Sequence, residues 1–204
     1  ALPAPVGFAV KPSRPFSGLV AERARLADRE VLVDLPIDVE SAREKVAARP
    51  TPEDGAQDAL TQLLDTWLEA VPQATGAAGE LTARYSQNRQ HLQNMIEHLK
   101  QKNVFVVDRG PGSQSIACDL AQSLREPCIV ENDRLDDNAD EAALRKQLAT
   151  VREQARLRGS VVVGALARPA LIAALRAELP AFANEQVEVV SLSETMAPSA
   201  LSRR

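Results

Sequence analysis

The sequence predicts an α/β domain with mostly parallel strands and helices outside them. Apolar runs rich in β-branched residues alternate with amphipathic helical patterns along the chain. The runs VFVVD (104–108) and VVVG (161–164) are apolar nearly throughout, as expected of strands that are buried on both faces. This alternation is typical of a parallel sheet or barrel with an outer layer of helices.

Seven strands are predicted from these runs. They are PVGFAV (5–10), EVLVDL (30–35), a short QATG (73–76), NVFVVD (103–108), PCIVEN (127–132), SVVVGA (160–165) and QVEVVS (186–191). The helices between them carry apolar stripes with a period of 3.6 residues. The stripes consist of Leu60, Leu63, Leu64, Trp67, Leu68 and Val71, then Leu92, Met95, Ile96 and Leu99, then Leu144, Leu148, Val151 and Ala155. Asn138 and Glu141 are spaced as a capping box for the last of these helices.

The length of 204 residues suits one domain, which we place at residues 1–195 with a frayed tail at 196–204. The net charge of −4 and the lack of a Lys/Arg run argue against a nucleic-acid partner. No apolar run approaches the length of a transmembrane helix. No signal peptide is present, and the start at Ala1 is consistent with a trimmed leader.

Cys118 and Cys128 are the two cysteines of the chain. An even number permits a disulfide, but Cys118 falls inside a predicted helix and Cys128 at the start of the next strand. The favoured interpretation is two separate small core residues, with a disulfide as the alternative.

Histidines offer little for metal binding. His91 and His98 are seven residues apart on one predicted helix, so about 10 Å separates them and one ion cannot bridge them. The acidic segment ENDRLDDNADE (131–141) has alternating Asp136, Asn138 and Asp140, but Glu141 and Gln147 stand where a calcium loop needs glycine and glutamate. A solvated, helix-capping loop is favoured over weak calcium binding.

The turn DRGPGSQSIA (108–117) joins a strand end to a helix start, where free N–H groups could hold an anion. The phosphate-loop lysine and the GxGxxG pattern are missing, so a turn capped by Ser113 or Ser115 is favoured. With both histidines on one helix, no Ser-His-Asp or Cys-His arrangement is plausible.

Aspartates follow several predicted strands. They are Asp34, Asp38, Asp108 and either Asp133 or Asp136. The ends of parallel strands meet at one rim, where paired carboxylates could do acid-base work. Turn and cap roles are the favoured interpretation, because aspartate is common at strand ends for that reason.

Taken in order, several segments resemble the divergent polysaccharide deacetylases, relatives of the NodB-like carbohydrate deacetylases. These segments are EVLVDLPIDVE, VPQATG…LT, NVFVVDRGPGSQSIACDLAQSL, ENDRLDDN, GSVVVGAL and VEVVSLSE. The resemblance runs from about residue 5 to about 195 and implies an irregular NodB-like (β/α) barrel in a bacterial envelope protein. It also implies a first strand with an Asp-Asp pair, and this chain starts after that strand.

The departures from the family pattern concern its histidines. The family reads HLPME where this chain has Asp34 in DLPID, and its NNHMGS segment is shortened here to Ala-Ala-Gly-Glu, ending at Glu80. The DSRT pattern becomes DRGP, which keeps Asp108 and, further on, Ser115. The family's GHP becomes Gly164-Ala165-Leu166, which has no side chain for chemistry.

These departures imply a catalytically degenerate member that has lost the family's divalent metal, with no cofactor. The resemblance implies a periplasmic or secreted location, and the departures favour a pseudoenzyme that acts as a binding or scaffolding module for a protein partner or an envelope glycan. Glu80, Tyr85 and Ser115 are the candidate binding residues. Because aromatics are scarce and Trp67 fits a core stripe, a protein partner is favoured over a glycan.

Two alternatives stay open. An active deacetylase could use a carboxylate-only site of Asp34, Asp108 and Asp136 that holds Mg²⁺ or Ca²⁺. The chain could also be one piece of a larger protein, with the missing first strand supplied by another segment or subunit.

Overall fold

A computed structural model describes residues 4–35, 53–81, 89–110 and 115–196, with side chains undescribed at 53–59. The chain divides into two compact units. One is Gly7–Val130, and the other combines Ala1–Val6 with Glu131–Arg204. Each unit is described by itself below, and the single domain expected over residues 1–195 stays a prediction.

The unit Gly7–Val130 is built on a five-stranded parallel sheet. Its strands are β1 (Phe8–Val10), β2 (Val31–Asp34), β3 (Gly76–Gly79), β4 (Phe105–Asp108) and β5 (Cys128–Val130), and each pairs in parallel with the next in the chain. Its helices are α1 (Ser17–Leu26), α2 (Glu53–Ala70), α3 (Arg89–Gln101) and α4 (Ile116–Ser123). Parallel neighbours require crossover connections, which these helices supply. The α/β class with parallel strands and outer helices is thus confirmed.

The core of this unit follows the predicted apolar patterns. Every residue of β2, β3 and β4 is buried. The stripes of α2 and α3 pack against the sheet through Leu64, Trp67, Val71, Leu92, Met95, Ile96 and Leu99. Trp67 is therefore a core residue, as its place in the stripe predicts.

The second unit contains a two-stranded parallel sheet and three helices. The strands are β6 (Asp133–Arg134) and β7 (Val163–Gly164), and the helices are α5 (Glu141–Arg158), α6 (Pro169–Asn184) and α7 (Leu192–Met196). The smaller core of this unit comprises Leu135, Ala139, Leu144, Leu148, Val151, Leu171, Ala174 and Phe182. Within the described residues, no helix combines the length and the apolarity needed to cross a membrane.

Three sequence assignments are wrong in detail. The strand expected at 73–76 lies at Gly76–Gly79, where small residues leave room for the Phe105 ring. The strand expected at 186–191 is not formed: the Val187 N–H closes α6 by donating to Phe182 O at 2.9 Å, while Val187 and Val189 pack on the core without a strand partner. The cap of α5 is Asp140, whose carboxylate accepts from Ala143 N at 2.8 Å.

The cysteines form a disulfide, so the favoured interpretation of two separate core residues is wrong. Cys118 of α4 and Cys128 of β5 have their Cα atoms 5.2 Å apart. The chain reverses directly after α4, because Arg125 adopts a left-handed conformation (φ 59°) and Glu126 N donates back to Ala121 O at 2.8 Å. This tight reversal brings β5 alongside the helix, which spacing along the sequence does not reveal.

Candidate functional site

Two carboxylates lie at one edge of the five-stranded sheet. Asp34 ends β2 and Asp108 ends β4, with β3 between them. The register pairs Asp34 with Ala78 and Asp108 with Gly79, so both aspartates stand at the carboxyl ends of their strands. In open α/β sheets this edge is where ligands usually bind. We refer to Asp34, Asp108, Arg109 and Ser115 as the rim cluster.

Asp108 is buried, and both of its carboxylate oxygens accept hydrogen bonds. Its Oδ1 accepts from Leu81 N at 3.0 Å and from Gly110 N at 3.1 Å, and its Oδ2 accepts from Ser115 Oγ at 2.5 Å. Its exposed fraction is 1%. A carboxylate so deeply buried has to be hydrogen-bonded, and these donors satisfy that requirement. Asp108 thus ties the residues after β3 and β4 to the start of α4.

Ser115 confirms the cap expected from the sequence. Its Oγ accepts from Cys118 N at 3.0 Å while donating to Asp108, so one hydroxyl caps α4 and anchors it to the end of β4. Ser115 itself is buried.

Arg109 is the rim residue that the sequence analysis missed. Its guanidinium forms an ion pair with the Asp34 carboxylate, and the two side chains are only 14% and 11% exposed. Its backbone N–H donates to Gly79 O at 2.8 Å, and its Nη2 lies 3.5 Å from Ala78 O. The sequence feature that could have indicated this pair is the position of Arg109 directly after Asp108, at the end of β4. Asp34 ends β2, two strands away in the same sheet.

Both histidines lie on α3, His91 near its start and His98 near its end. His98 Nε2 lies 3.0 Å from Asp65 Oδ1 on α2, and Lys102 Nζ lies 2.7 Å from the same oxygen. The hydrogen bond from Lys102, with a further contribution from His98, holds the pKa of Asp65 below its ordinary value. In the described ranges, no three His, Cys, Asp or Glu side chains form a group that could hold a metal ion.

Asp136 lies in the second unit. Its Oδ1 accepts from Asn138 N at 2.8 Å, and its N–H donates to Gln147 Oε1 at 3.0 Å. These bonds fold the acidic loop before α5, which agrees with the turn role favoured by the sequence.

The remaining candidate binding residues follow β3. Glu80 is half-buried and directly precedes Leu81, whose N–H contacts Asp108. Tyr85 lies outside the described residues. Binding roles for Glu80, Tyr85 and Ser115 stay predictions.

Gly164, at the end of β7, leaves room for a carboxylate. A Cβ at this position would stand 2.2 Å from Glu131 Oε1, so only glycine accommodates Glu131 as it is placed. Glu131 forms an ion pair with Arg134 at 3.1 Å. In each unit, therefore, a carboxylate near a strand end is held by an arginine.

Comparison with known protein families identifies one family. A family model described as divergent polysaccharide deacetylase matches residues 1–196. A relative from Escherichia coli (strain K12), the uncharacterized protein YibQ, is 26% identical over 178 residues, which is 86% of this chain and 55% of the relative. The chain thus spans about half the length of this curated relative.

Similarity to a solved structure bears on the fold and not on the function. The crystal structure of the uncharacterized protein ATU2773 from Agrobacterium tumefaciens C58 is similar with a TM-score of 0.72 at 19% identity. The similarity covers 95% of this chain and 79% of that one.

Proposed function

This chain belongs to the divergent polysaccharide deacetylase family, and we propose that it is a catalytically degenerate member. In this proposal it acts in the bacterial envelope as a binding or scaffolding module. The observation that carries the proposal is the internal pairing of both rim carboxylates. Arg109 neutralises Asp34, and three donors, Leu81 N, Gly110 N and Ser115 Oγ, form hydrogen bonds to the carboxylate of Asp108.

The rim cluster does not fit the divalent ion that the family chemistry calls for. Such an ion polarises the acyl carbonyl and activates water, and it is held by imidazole and carboxylate ligands. Here the fixed positive charge of Arg109 already lies against Asp34, and a second cation would be repelled by it. The Asp108 oxygens already accept hydrogen bonds from Leu81, Gly110 and Ser115, so a metal ion would compete with these donors for the carboxylate.

An oxidising compartment is supported by the disulfide between Cys118 and Cys128. Structural disulfides persist in the periplasm and in secreted proteins and are rare in the cytosol. We therefore propose a periplasmic or secreted location.

A protein partner is favoured over a glycan because aromatic side chains are scarce. The single tryptophan, Trp67, is 7% exposed within the core and cannot stack on a sugar ring. Helix α1 instead exposes apolar side chains, among them Leu19, Val20 and Leu26.

The proposal is tested by metal content and by acetate release. We expect elemental mass spectrometry after zinc loading and dialysis to find no retained zinc. We also expect no deacetylation of a chito-oligosaccharide or of a peptidoglycan fragment. The same measurements on Arg109→Ala show whether removing the guanidinium exposes Asp34 to metal.

Two results would overturn the proposal. One is a tightly held ion in each wild-type chain. The other is acetate release that Asp108→Asn abolishes while the chain stays folded, which would establish the carboxylate-only enzyme instead.

A further inference from the structure

Helix α1 exposes an apolar stripe to solvent. Leu19, Val20 and Leu26 are 46%, 48% and 67% exposed, and their spacing places them on one side of the helix around Arg23. Phe16, the N-cap residue directly before α1, is 76% exposed. The residues that α1 buries, Ser17, Ala21 and Ala24, lie on a different side. We refer to Phe16, Leu19, Val20, Arg23 and Leu26 as the α1 face. Large apolar side chains clustered in this way mark interaction surfaces.

Phe16 is the aromatic residue of this face, and its backbone is held by the loop that precedes α1. Phe16 adopts a left-handed backbone conformation (φ 66°), which is unfavourable for a bulky residue. The loop before it is tied to the helix start, because Ser17 Oγ lies 2.6 Å from both Lys11 O and Arg14 O. The Phe16 ring is thus presented to solvent by a defined loop.

The charge around the α1 face is positive in an otherwise acidic chain. Segment 11–26 contains Lys11, Arg14, Arg23 and Arg25 with Glu22 as its single carboxylate, a net charge of +3, whereas the whole chain carries −4. Among the described residues, no carboxylate forms an ion pair with any of these four cations. The complement of this surface is an apolar stripe flanked by carboxylates.

We propose that the α1 face binds an amphipathic helix of a partner protein whose apolar side is flanked by Asp or Glu. This inference rests on the proposed function as a protein-binding module and names the chemistry of the partner. Phe16, Leu19 and Leu26 supply apolar anchors, Arg23 pairs with a flanking carboxylate, and the positive charge of segment 11–26 attracts an acidic partner. Helix-on-helix recognition uses anchors at this spacing.

Two other occupants fit the face less well. A second copy would bring together two segments that each carry a net charge of +3, and this like charge disfavours their pairing. A lipid surface calls for an uninterrupted apolar side, whereas Arg23 stands in the middle of this one. Arginine within an apolar patch is typical of protein interfaces.

The test uses two synthetic helical peptides with the same leucine stripe. One is flanked by glutamates and the other by lysines, and each carries a fluorophore for anisotropy titrations against the full chain. We expect the glutamate peptide to bind about tenfold or more tightly than the lysine peptide. We also expect its affinity to fall as salt is raised from about 50 mM to about 300 mM.

Variants locate the binding surface. We expect about a tenfold loss of affinity for the glutamate peptide in two variants. One combines Leu19→Ser with Val20→Ser, and the other is Arg23→Glu. Leu157→Ser is the matched control, because Leu157 is a leucine of α5 that is 77% exposed and lies outside the α1 face. It should leave the affinity unchanged, and circular dichroism checks that all variants stay folded.

The inference is overturned by equal binding of the two peptides, by no binding, or by an equal loss in Leu157→Ser. It is also overturned if the chain dimerises through the α1 face or binds phosphatidylglycerol vesicles through it. In either case the variant Leu19→Ser with Val20→Ser would abolish the dimer or the vesicle binding. Acetate release or retained zinc would refute the proposal that the chain is catalytically degenerate, and neither result depends on peptide binding. Failure of peptide binding alone would leave the degenerate function standing.

Discussion

Arg109 supplies the positive charge at the rim of the sheet. Its guanidinium meets Asp34 where both side chains are nearly buried, and its backbone N–H pairs with the end of β3. A buried ion pair of this kind is costly to break from one side, because the remaining charge stays in a low-dielectric environment. The pair therefore makes Arg109 important for folding as well as for the rim's chemistry.

Arg109→Ala should lower the free energy of unfolding by about 3 kcal/mol, because Asp34 is left buried without a counter-charge. Urea unfolding followed by circular dichroism measures the change. The control is Arg156→Ala, since Arg156 pairs with Glu153 and Glu185 and all three side chains are exposed, and it should cost about 0.5 kcal/mol or less. Equal costs for the two variants would contradict this prediction.

Asp65 gives the chain a defined pH dependence. The pKa of Asp65 is lowered in the folded state by Lys102 and His98. The ionised carboxylate therefore stabilises the fold at pH values above 3.8, the ordinary pKa of this group. This contribution is lost as the pH falls through the lowered pKa. Asp65→Asn should therefore reduce the urea midpoint at neutral pH and have no effect at about pH 2.

Glu188→Gln provides the control for this pH series, because Glu188 is exposed and lies in the second unit. It should leave the midpoint unchanged at both pH values. A difference between wild type and Asp65→Asn that stays constant down to low pH would show that the Asp65 contacts act without its charge.

At the scale of elements, α4 is joined to two strands of the five-stranded unit by side-chain hydrogen bonds and a disulfide. Ser115 caps its first turn and joins it to Asp108, and the disulfide joins it to β5. One eight-residue helix thus links two neighbouring strands of the sheet. A helix this short has little stability of its own and depends on such connections.

Removing the disulfide should destabilise the chain by about 3 kcal/mol on the loop-entropy model for a short closed loop. Cys118→Ser with Cys128→Ser tests this by thermal unfolding, and wild type with added reductant should match the variant. Identical melting of oxidised and reduced wild type would argue that the bond is absent in solution.

Gly76 controls the packing of β3 against β4. A Cβ at Gly76 would stand 2.7 Å from two ring atoms of Phe105 and 3.0 Å from Leu32 Cδ2. Gly76→Ala should therefore overpack the core and cost about 2 kcal/mol in urea unfolding. Combined with Phe105→Leu, it should cost less than the sum of the two single changes.

Gly18→Ala is the matched control for this glycine. Gly18 lies in α1, where an added Cβ meets Ala70 O at an ordinary 3.7 Å. Because glycine is unfavourable in a helix interior, this substitution should stabilise the chain by about 0.5 kcal/mol. A loss of stability as large as that of Gly76→Ala would show that steric contact is not the cause.

For the whole molecule, the degenerate function predicts that divalent metal does not change stability. A ligand that binds the folded state alone raises the unfolding free energy by about 2.7 kcal/mol at a hundred times its dissociation constant. We expect thermal unfolding with excess zinc, magnesium or calcium to match unfolding in EDTA. A clear rise in melting temperature with one of these ions, lost in Asp108→Asn, would contradict the expectation.

The sequence by itself determined the fold class, most strands, the apolar stripes and a serine cap for α4 at Ser113 or Ser115. These features depend on local periodicity and on hydrogen bonds between residues close in the chain. Only the tertiary structure decided that Arg109 pairs with Asp34, 75 residues away in the sequence. It alone also decided that the chain reversal after α4 brings Cys128 next to Cys118. It also decided that Val187 and Val189 pack without forming a strand. Register and chain reversal bring such distant groups together, and neither is encoded in the spacing of residues along one segment.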